Sequence, residues 1–171
     1  PMAEATVLAA SEEARSHLQP IVDSIGQAIQ KAEVAHADET GLRVAGSLHW
    51  MHVLATVMLT WVGCHAKRGK AAFDAFAILP NFLGTLIHDG WKPYRELLCK
   101  HGLCNAHHLR ELTYVFEELG QAWAGRMIDL LVAACHEVNQ LGGPLSSRQI
   151  ASVRKKKKKI LAEGEALNPL A

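Results

Sequence analysis

Val34-Ala35-His36-Ala37-Asp38-Glu39-Thr40 and Phe82-Leu83-Gly84-Thr85-Leu86-Ile87-His88-Asp89-Gly90-Trp91 decide how this chain is read. Each is an apolar run that finishes near an aspartate, and Asp38 and Asp89 lie 51 positions apart. If the two runs are neighbouring parallel strands, both carboxylates leave the sheet at the same edge. Magnesium takes hard oxygen ligands and often only one or two protein carboxylates, completing its shell with water and phosphate. Two such ions about 3.5–4 Å apart serve in-line phosphoryl displacement. The plain alternative for two aspartates at strand ends is a pair of solvated turn formers.

The residues between the two runs supply the connection. Leu42-Arg43-Val44 leads into Ala45-Gly46, which suits a two-residue hairpin turn. Leu48 to Val57 and Met58 to His65 are rich in β-branched and aromatic residues and read as two more strands. Three strands joined by short turns form an antiparallel meander. Lys67-Arg68-Gly69-Lys70 is a basic turn, and Ala71 to Leu79 reads as a short helix with Ala72, Phe73, Phe76 and Leu79 inward, stopped by Pro80. Strand, helix, strand in this order gives a right-handed parallel crossover, which returns the fourth strand beside the first.

Upstream, residues 3–32 read as helical, starting near Ser11-Glu12-Glu13, with a break or kink at Pro20. The opening Pro1-Met2 reads as an internal start rather than a natural terminus. Downstream, Pro93 suits the first turn of a helix from Tyr94 to Lys100, and Leu103-Cys104-Asn105 is a short fifth strand. Ala106 to Gln140 carries apolar residues at steps of three or four, weakened by Gly120 and Gly125. After Gly142-Gly143-Pro144, Ser146 or Ser147 caps a last helix to about Ala166. The expected organisation is an N-terminal helical segment (1–32), a core (33–105) and a helical hairpin (106–171).

With 171 residues and 49% hydrophobic content the chain can bury a sizeable core, and a formal net charge of +1 gives no global basic field. Neither a membrane-length apolar run nor a signal-peptide pattern occurs. Cys64, Cys99, Cys104 and Cys135 form no C-x-x-C pair and read as reduced thiols. Cys104, His107 and His108 fall short of the four ligands of a structural zinc site.

Six motifs then carry a resemblance: His36-Ala37-Asp38-Glu39-Thr40-Gly41, His49-Trp50, Lys67-Arg68-Gly69, Leu79-Pro80-Asn81-Phe82, His88-Asp89-Gly90-Trp91-Lys92-Pro93-Tyr94, and Cys104-Asn105-Ala106-His107-His108-Leu109-Arg110-Glu111. In this order and spacing, from about residue 33 to Pro169, the chain resembles the catalytic region of an insertion-sequence transposase of the IS-sixty-six type. The resemblance implies an α/β fold, a ribonuclease-H-like mixed sheet of three antiparallel strands plus parallel strands, with an appended C-terminal helical hairpin. It implies a DDE catalytic domain that uses Mg2+ or Mn2+, with Asp38 and Asp89 as its first two acids. It also implies bacterial, cytoplasmic, nucleoid-associated action on DNA, both transposon ends and target, with homo-oligomers and accessory proteins of the element as partners. The family's third acid belongs to an Asn-Asn-x-x-Glu-Arg type motif, and no Asn-Asn pair occurs here. The expectation is a C-terminally truncated transposase with severely impaired strand cleavage. The alternative is an inactive remnant that only binds DNA or a partner.

Other residues have two readings each. Glu111 is the in-chain substitute for the third acid, or a helix-surface carboxylate. Glu39 faces away from Asp38 on a strand and reads as structural. His88 orients Asp89 or a phosphate, or is a half-buried strand-end residue. Arg68, Lys70 and Lys92 hold DNA phosphates, or form a solvated basic edge. Arg154, Lys155, Lys156, Lys157, Lys158 and Lys159 repel one another and contact the DNA backbone, whose phosphates neutralise them, or form a solvated charged face. Trp50, Trp61, Trp91 and Trp123 read as core or interface residues, with base stacking the alternative for Trp91 beside Asp89.

Overall fold

A computed structural model describes residues 3–169. Pro1 and Met2, and with them the reading of the chain's opening, lie outside the described residues. A boundary at Cys104/Asn105 divides the chain into two compact units.

The first unit begins with α1 (Glu4–Gln30). The helix starts at Glu4 rather than near Ser11, whose hydroxyl donates to Val7 O at 2.8 Å inside the helix. Pro20 also lies inside it and does not end it. Residues 3–20 are exposed, so a missing backbone donor there disturbs no packing. Only the last turns pack, burying Gly26 and Ile29.

Five strands follow: β1 (Val34–Val44), β2 (Ser47–Ala55), β3 (Thr60–His65), β4 (Thr85–His88) and β5 (Lys100–Leu103). They lie in the order β3-β2-β1-β4-β5. β1, β2 and β3 form the expected antiparallel meander, and β4 and β5 run parallel to β1. Ala45 and Gly46 both have positive φ, 48° and 80°, as the β1–β2 hairpin turn requires. The β2–β3 turn falls at Thr56–Leu59, where Thr56 Oγ1 accepts from Met58 N–H and Leu59 N–H. The two strands are therefore shorter than their apolar runs.

Period-two alternation sets the faces. Ala35 and Ala37 of β1, Leu54 of β2 and Leu86 of β4 turn inward to a core with Ile29, Phe73, Ile78, Leu79, Phe82 and Tyr94. α2 (Lys70–Phe76) is shorter than the apolar pattern suggests. Ala77 takes a left-handed conformation (φ 56°), and a separate 3-10 turn at Leu79–Asn81 contains Pro80. Proline thus sits in the next element instead of stopping the helix. Gly84 lets β4 start close to the end of α1: a Cβ there would stand 2.5 Å from Ala32 O.

α3 (Lys92–Arg95) is a single turn. The expected helix through Lys100 is wrong, because Lys100 to Leu103 pair with β4 as the fifth strand. The ladder bonds of a parallel edge outweigh helix propensity over so short a stretch.

The second unit holds α4 (Asn105–Glu117), α5 (Ala122–Leu141) and α6 (Ser147–Leu167). The expected continuous helix from Ala106 to Gln140 is two helices, broken at Gly120 with φ 65°. Gly125 and Gly164 admit rings, of Phe116 and of Trp123, where a Cβ would lie within 3 Å of them. Ser146 caps α6 in a reciprocal box with Gln149, and Arg126 pairs with Glu163 between α5 and α6.

Candidate active site

The ladder between β1 and β4 fixes the geometry. Val34 pairs with Thr85, Ala35 with Leu86 and His36 with Ile87, each offset by 51 residues. Carrying that offset two residues further sets Asp38 opposite Asp89, one residue past the end of β4. Neighbouring strands lie about 4.8 Å apart, so the two backbones come within reach of one shared cation. Asp38 is exposed, and its Oδ1 accepts from Glu39 N–H at 2.9 Å. Asp89 is held by the turn that follows it. Its Oδ1 accepts from Trp91 N–H at 2.8 Å, leaving Oδ2 toward Arg68 Nη2 at 3.9 Å.

Glu39 occupies the opposite face from Asp38, as the alternation requires, and its side chain is only 1% exposed. A carboxylate this deep needs partners. Arg68 Nε lies 2.5 Å from Oε1, and the Tyr94 hydroxyl donates to Oε2. Burial holds the Tyr94 phenol far above its ordinary ionisation range, with Glu39, Asp89 and Asp38 all adding to the effect. The phenol is therefore a permanent donor, and the same three carboxylates lie close enough to act on it.

Arg68 is the positive centre of this cluster. Its guanidinium carbon lies 3.8 Å from the Trp91 ring centroid and 4.9 Å from that of Trp50. The two indoles hold the group by cation–π attraction while Glu39 fixes its Nε edge. Gly69 makes room for this: a Cβ there would stand 2.9 Å from Trp91, and its φ of 79° suits glycine.

His88 pins the turn after β4 from the other side. It is 1% exposed. Gly90 N–H donates to His88 Nδ1 at 3.0 Å, so the ring proton sits on Nε2 and is donated to His101 Nδ1 at 3.1 Å. His101 Nε2 donates in turn to Leu97 O. Burial pushes the His88 pKa down, and the neighbouring His101 pushes it the same way. His88 is thus a neutral brace for the Asp89 turn.

Of the other candidate residues, Lys70 makes an exposed ion pair with Asp74, and Lys92 is an exposed residue at the start of α3. Glu111 belongs to α4 in the second unit, largely exposed, with His108 Nδ1 at 4.0 Å. Arg154 and Lys155 to Lys159 are all exposed on α6 and form no ion pair among the described residues. Among the described residues no group of three or more His, Cys, Asp or Glu is gathered to hold a metal ion. Asp38 and Asp89 are two hard oxygen donors at adjacent strand positions. That set suits magnesium held jointly with a phosphate, which needs no more than two protein carboxylates.

Sequence reasoning missed Tyr94 and His101 as parts of the site, and it did not foresee Trp50 and Trp91 as the rings that hold Arg68. Glu39 and Arg68 stand 29 residues apart, Glu39 and Tyr94 55 apart. No local pattern links them. The one available signal was a charged residue on the inward-facing register of β1, which calls for a buried partner.

A family model described as "Transposase IS66 family" matches residues 1–168. No curated protein and no solved structure matches the chain.

Proposed function

Because the chain belongs to the IS66 transposase family, we propose that its first unit carries a metal-dependent DNA strand-cleavage and strand-transfer site built on Asp38 and Asp89. The observation that supports this is the constant β1–β4 offset of 51 residues, which, carried two residues past His36–Ile87, would bring these acids opposite each other. The strand order β3-β2-β1-β4-β5, with three antiparallel and two added parallel strands, supports a ribonuclease-H-like reading of the sheet. Ligands of open sheets with parallel strands gather beyond the carboxyl ends of those strands, where Asp89 stands.

Bound magnesium would supply Lewis-acid activation of the attacking oxygen and neutralise charge at the phosphorus. The chain's own groups do the rest. Asp38 and Asp89 present their oxygens from adjacent strands. Trp91 N–H and the His88 brace hold Asp89 in one orientation. Arg68, clamped by two indoles, offers a guanidinium edge of the kind that binds phosphate. In the cleavage step a water oxygen forms a bond to phosphorus as the bond to the 3′ oxygen breaks, leaving a 3′ hydroxyl. That hydroxyl then attacks a phosphodiester of target DNA, its oxygen bonding to phosphorus as the target's own bond to its 3′ oxygen breaks and that oxygen leaves as a 3′ hydroxyl, with no covalent protein–DNA intermediate.

The six cations of α6 would add backbone contacts that carry affinity without sequence information. Glu111 stands on α4 of the second unit as a largely exposed carboxylate. Its exposure leaves its oxygens available, and its substitution is part of the test.

The test is strand cleavage and transfer on a duplex carrying the element's ends, with Mg2+ or Mn2+, for the parent chain and for Asp38→Asn, Asp89→Asn and Glu111→Gln. Loss of activity in both aspartate variants with DNA affinity retained is the expected result. A parent that binds DNA without metal-dependent cleavage would instead make the chain a DNA-binding remnant. Activity that survives Asp38→Asn would end the proposal.

A further inference from the structure

The Tyr94 hydroxyl donates to the buried Glu39 carboxylate, and Arg68 reaches from that carboxylate toward Asp89. The guanidinium paired with both Glu39 and Asp89 is that of Arg68, whose Nε is committed to Glu39 at 2.5 Å. Its Nη2 faces Asp89 Oδ2 at 3.9 Å, inside ion-pair range but beyond a hydrogen bond. Asp89 therefore has a cation within ion-pair range, and that cation's position is already set elsewhere. The Trp91 and Trp50 rings hold the guanidinium plane, so it cannot swing far without leaving both indoles. Its side chain nevertheless remains 31% exposed and can be reached from solvent.

One group thus has two competing uses. The same outer edge that attracts Asp89 is suited to a phosphate oxygen. A phosphate drawing on that edge weakens its hold on Asp89, and an Asp89 engaged by a cation releases the edge to a phosphate. We infer that Arg68 is a built-in counter-ion for Asp89, through which DNA phosphate and a divalent cation each strengthen the binding of the other. This rests on the proposed metal site and adds to it a coupling between its two ligands. By linkage the coupling is reciprocal: whatever factor DNA adds to cation affinity, the cation adds to DNA affinity. Arg68 is in this view a positioning residue for Asp89 and a contact for phosphate. It keeps Asp89 partly occupied until substrate arrives.

The experiment measures Mn2+ affinity by electron paramagnetic resonance, with and without a short DNA duplex. The proteins are the parent, Asp89→Asn, Arg68→Lys and the double variant Glu39→Gln with Arg68→Met. The double variant removes buried charge in a matched pair, so that no lone carboxylate is left inside to unfold the unit. Circular dichroism checks that each protein is folded. Removing the guanidinium should tighten Mn2+ binding in the absence of DNA by about three- to tenfold. It should also reduce the factor by which DNA raises Mn2+ affinity. Arg68→Lys keeps the charge without the fork and should lie between the two.

If Asp89→Asn leaves Mn2+ binding unchanged, the metal-site reading itself fails. If Asp89→Asn weakens binding but the double variant matches the parent with and without DNA, the site stands and the counter-ion role of Arg68 is overturned.

Discussion

Removing Arg68 while leaving Glu39 in place is the sharpest probe of the first unit's interior. In Arg68→Met the Glu39 carboxylate, 1% exposed, keeps the Tyr94 hydroxyl as a partner and is deprived of its only ion pair among the described residues. Breaking a buried pair from one side costs about 3–5 kcal/mol, because the remaining charge is stranded. Arg68 is 31% exposed, so solvent already screens part of the attraction, which lowers the expectation to about 2–3 kcal/mol. For a unit of about 100 residues that is roughly a 10–20 °C fall in Tm. Urea unfolding followed by tryptophan fluorescence reads it directly, since Trp50 and Trp91 flank the guanidinium. Adding Glu39→Gln to Arg68→Met removes the stranded charge and keeps a carbonyl to accept from Tyr94, so the double variant should return to within about 1 kcal/mol of the parent. Should Arg68→Met unfold within about 0.5 kcal/mol of the parent, Glu39 is not the buried charge described above and the reasoning fails.

Other consequences are equally open to measurement. Gly84→Ala would push a Cβ to 2.5 Å from Ala32 O and 2.6 Å from Glu33 O, and should cost about 2–3 kcal/mol in thermal or urea unfolding. His52 and His88 have pKa values lowered from 6.5, chiefly by burial, so the unfolded chain binds more protons below that pH. Stability should be full above about pH 6.5 and fall as pH drops toward 5; a flat pH–stability curve over that range would contradict it. Ser146→Ala removes the α6 cap and should cost about 1 kcal/mol, seen as a lower melting point of the second unit. Changing Lys155 to Lys159 to Gln should flatten the salt dependence of DNA binding by about 0.9 in log–log slope for each phosphate that is no longer neutralised.

The parts of this fold legible in the sequence were those with a local cause. Alternation in Val34–Asp38, the Ala45-Gly46 turn and the aromatic β2 and β3 runs each dictate their own conformation. The parallel return of β4 beside β1 was legible because one strand, one helix and one strand leave a single favoured hand of return. Boundaries failed where a longer-range contact overrode a local one. The helix expected from Tyr94 to Lys100 stops at Arg95, the fifth strand expected at Leu103-Cys104-Asn105 instead runs Lys100–Leu103 beside β4, and the apolar run from Ala106 continues past a glycine that turns the backbone. Pro20 does not break α1, since a proline on an exposed stretch of helix disturbs no packing. The Glu39–Arg68–Tyr94 cluster was hidden for a different reason. Its members come from a strand, a turn and a one-turn helix, and only the folded chain brings them together.

The 51-residue offset between β1 and β4 has a consequence for how such a site can vary. Backbone ladder bonds hold the two acids in step, and the loops between them do not. Residues added to the connection around Ala66 or Ala77 would lengthen a surface path and leave the acids facing each other. A slip of β4 by one residue along β1 would put His88 or Gly90 in Asp89's place and turn every inward side chain of that strand outward. Length in this region is thus free to drift, while phase is not.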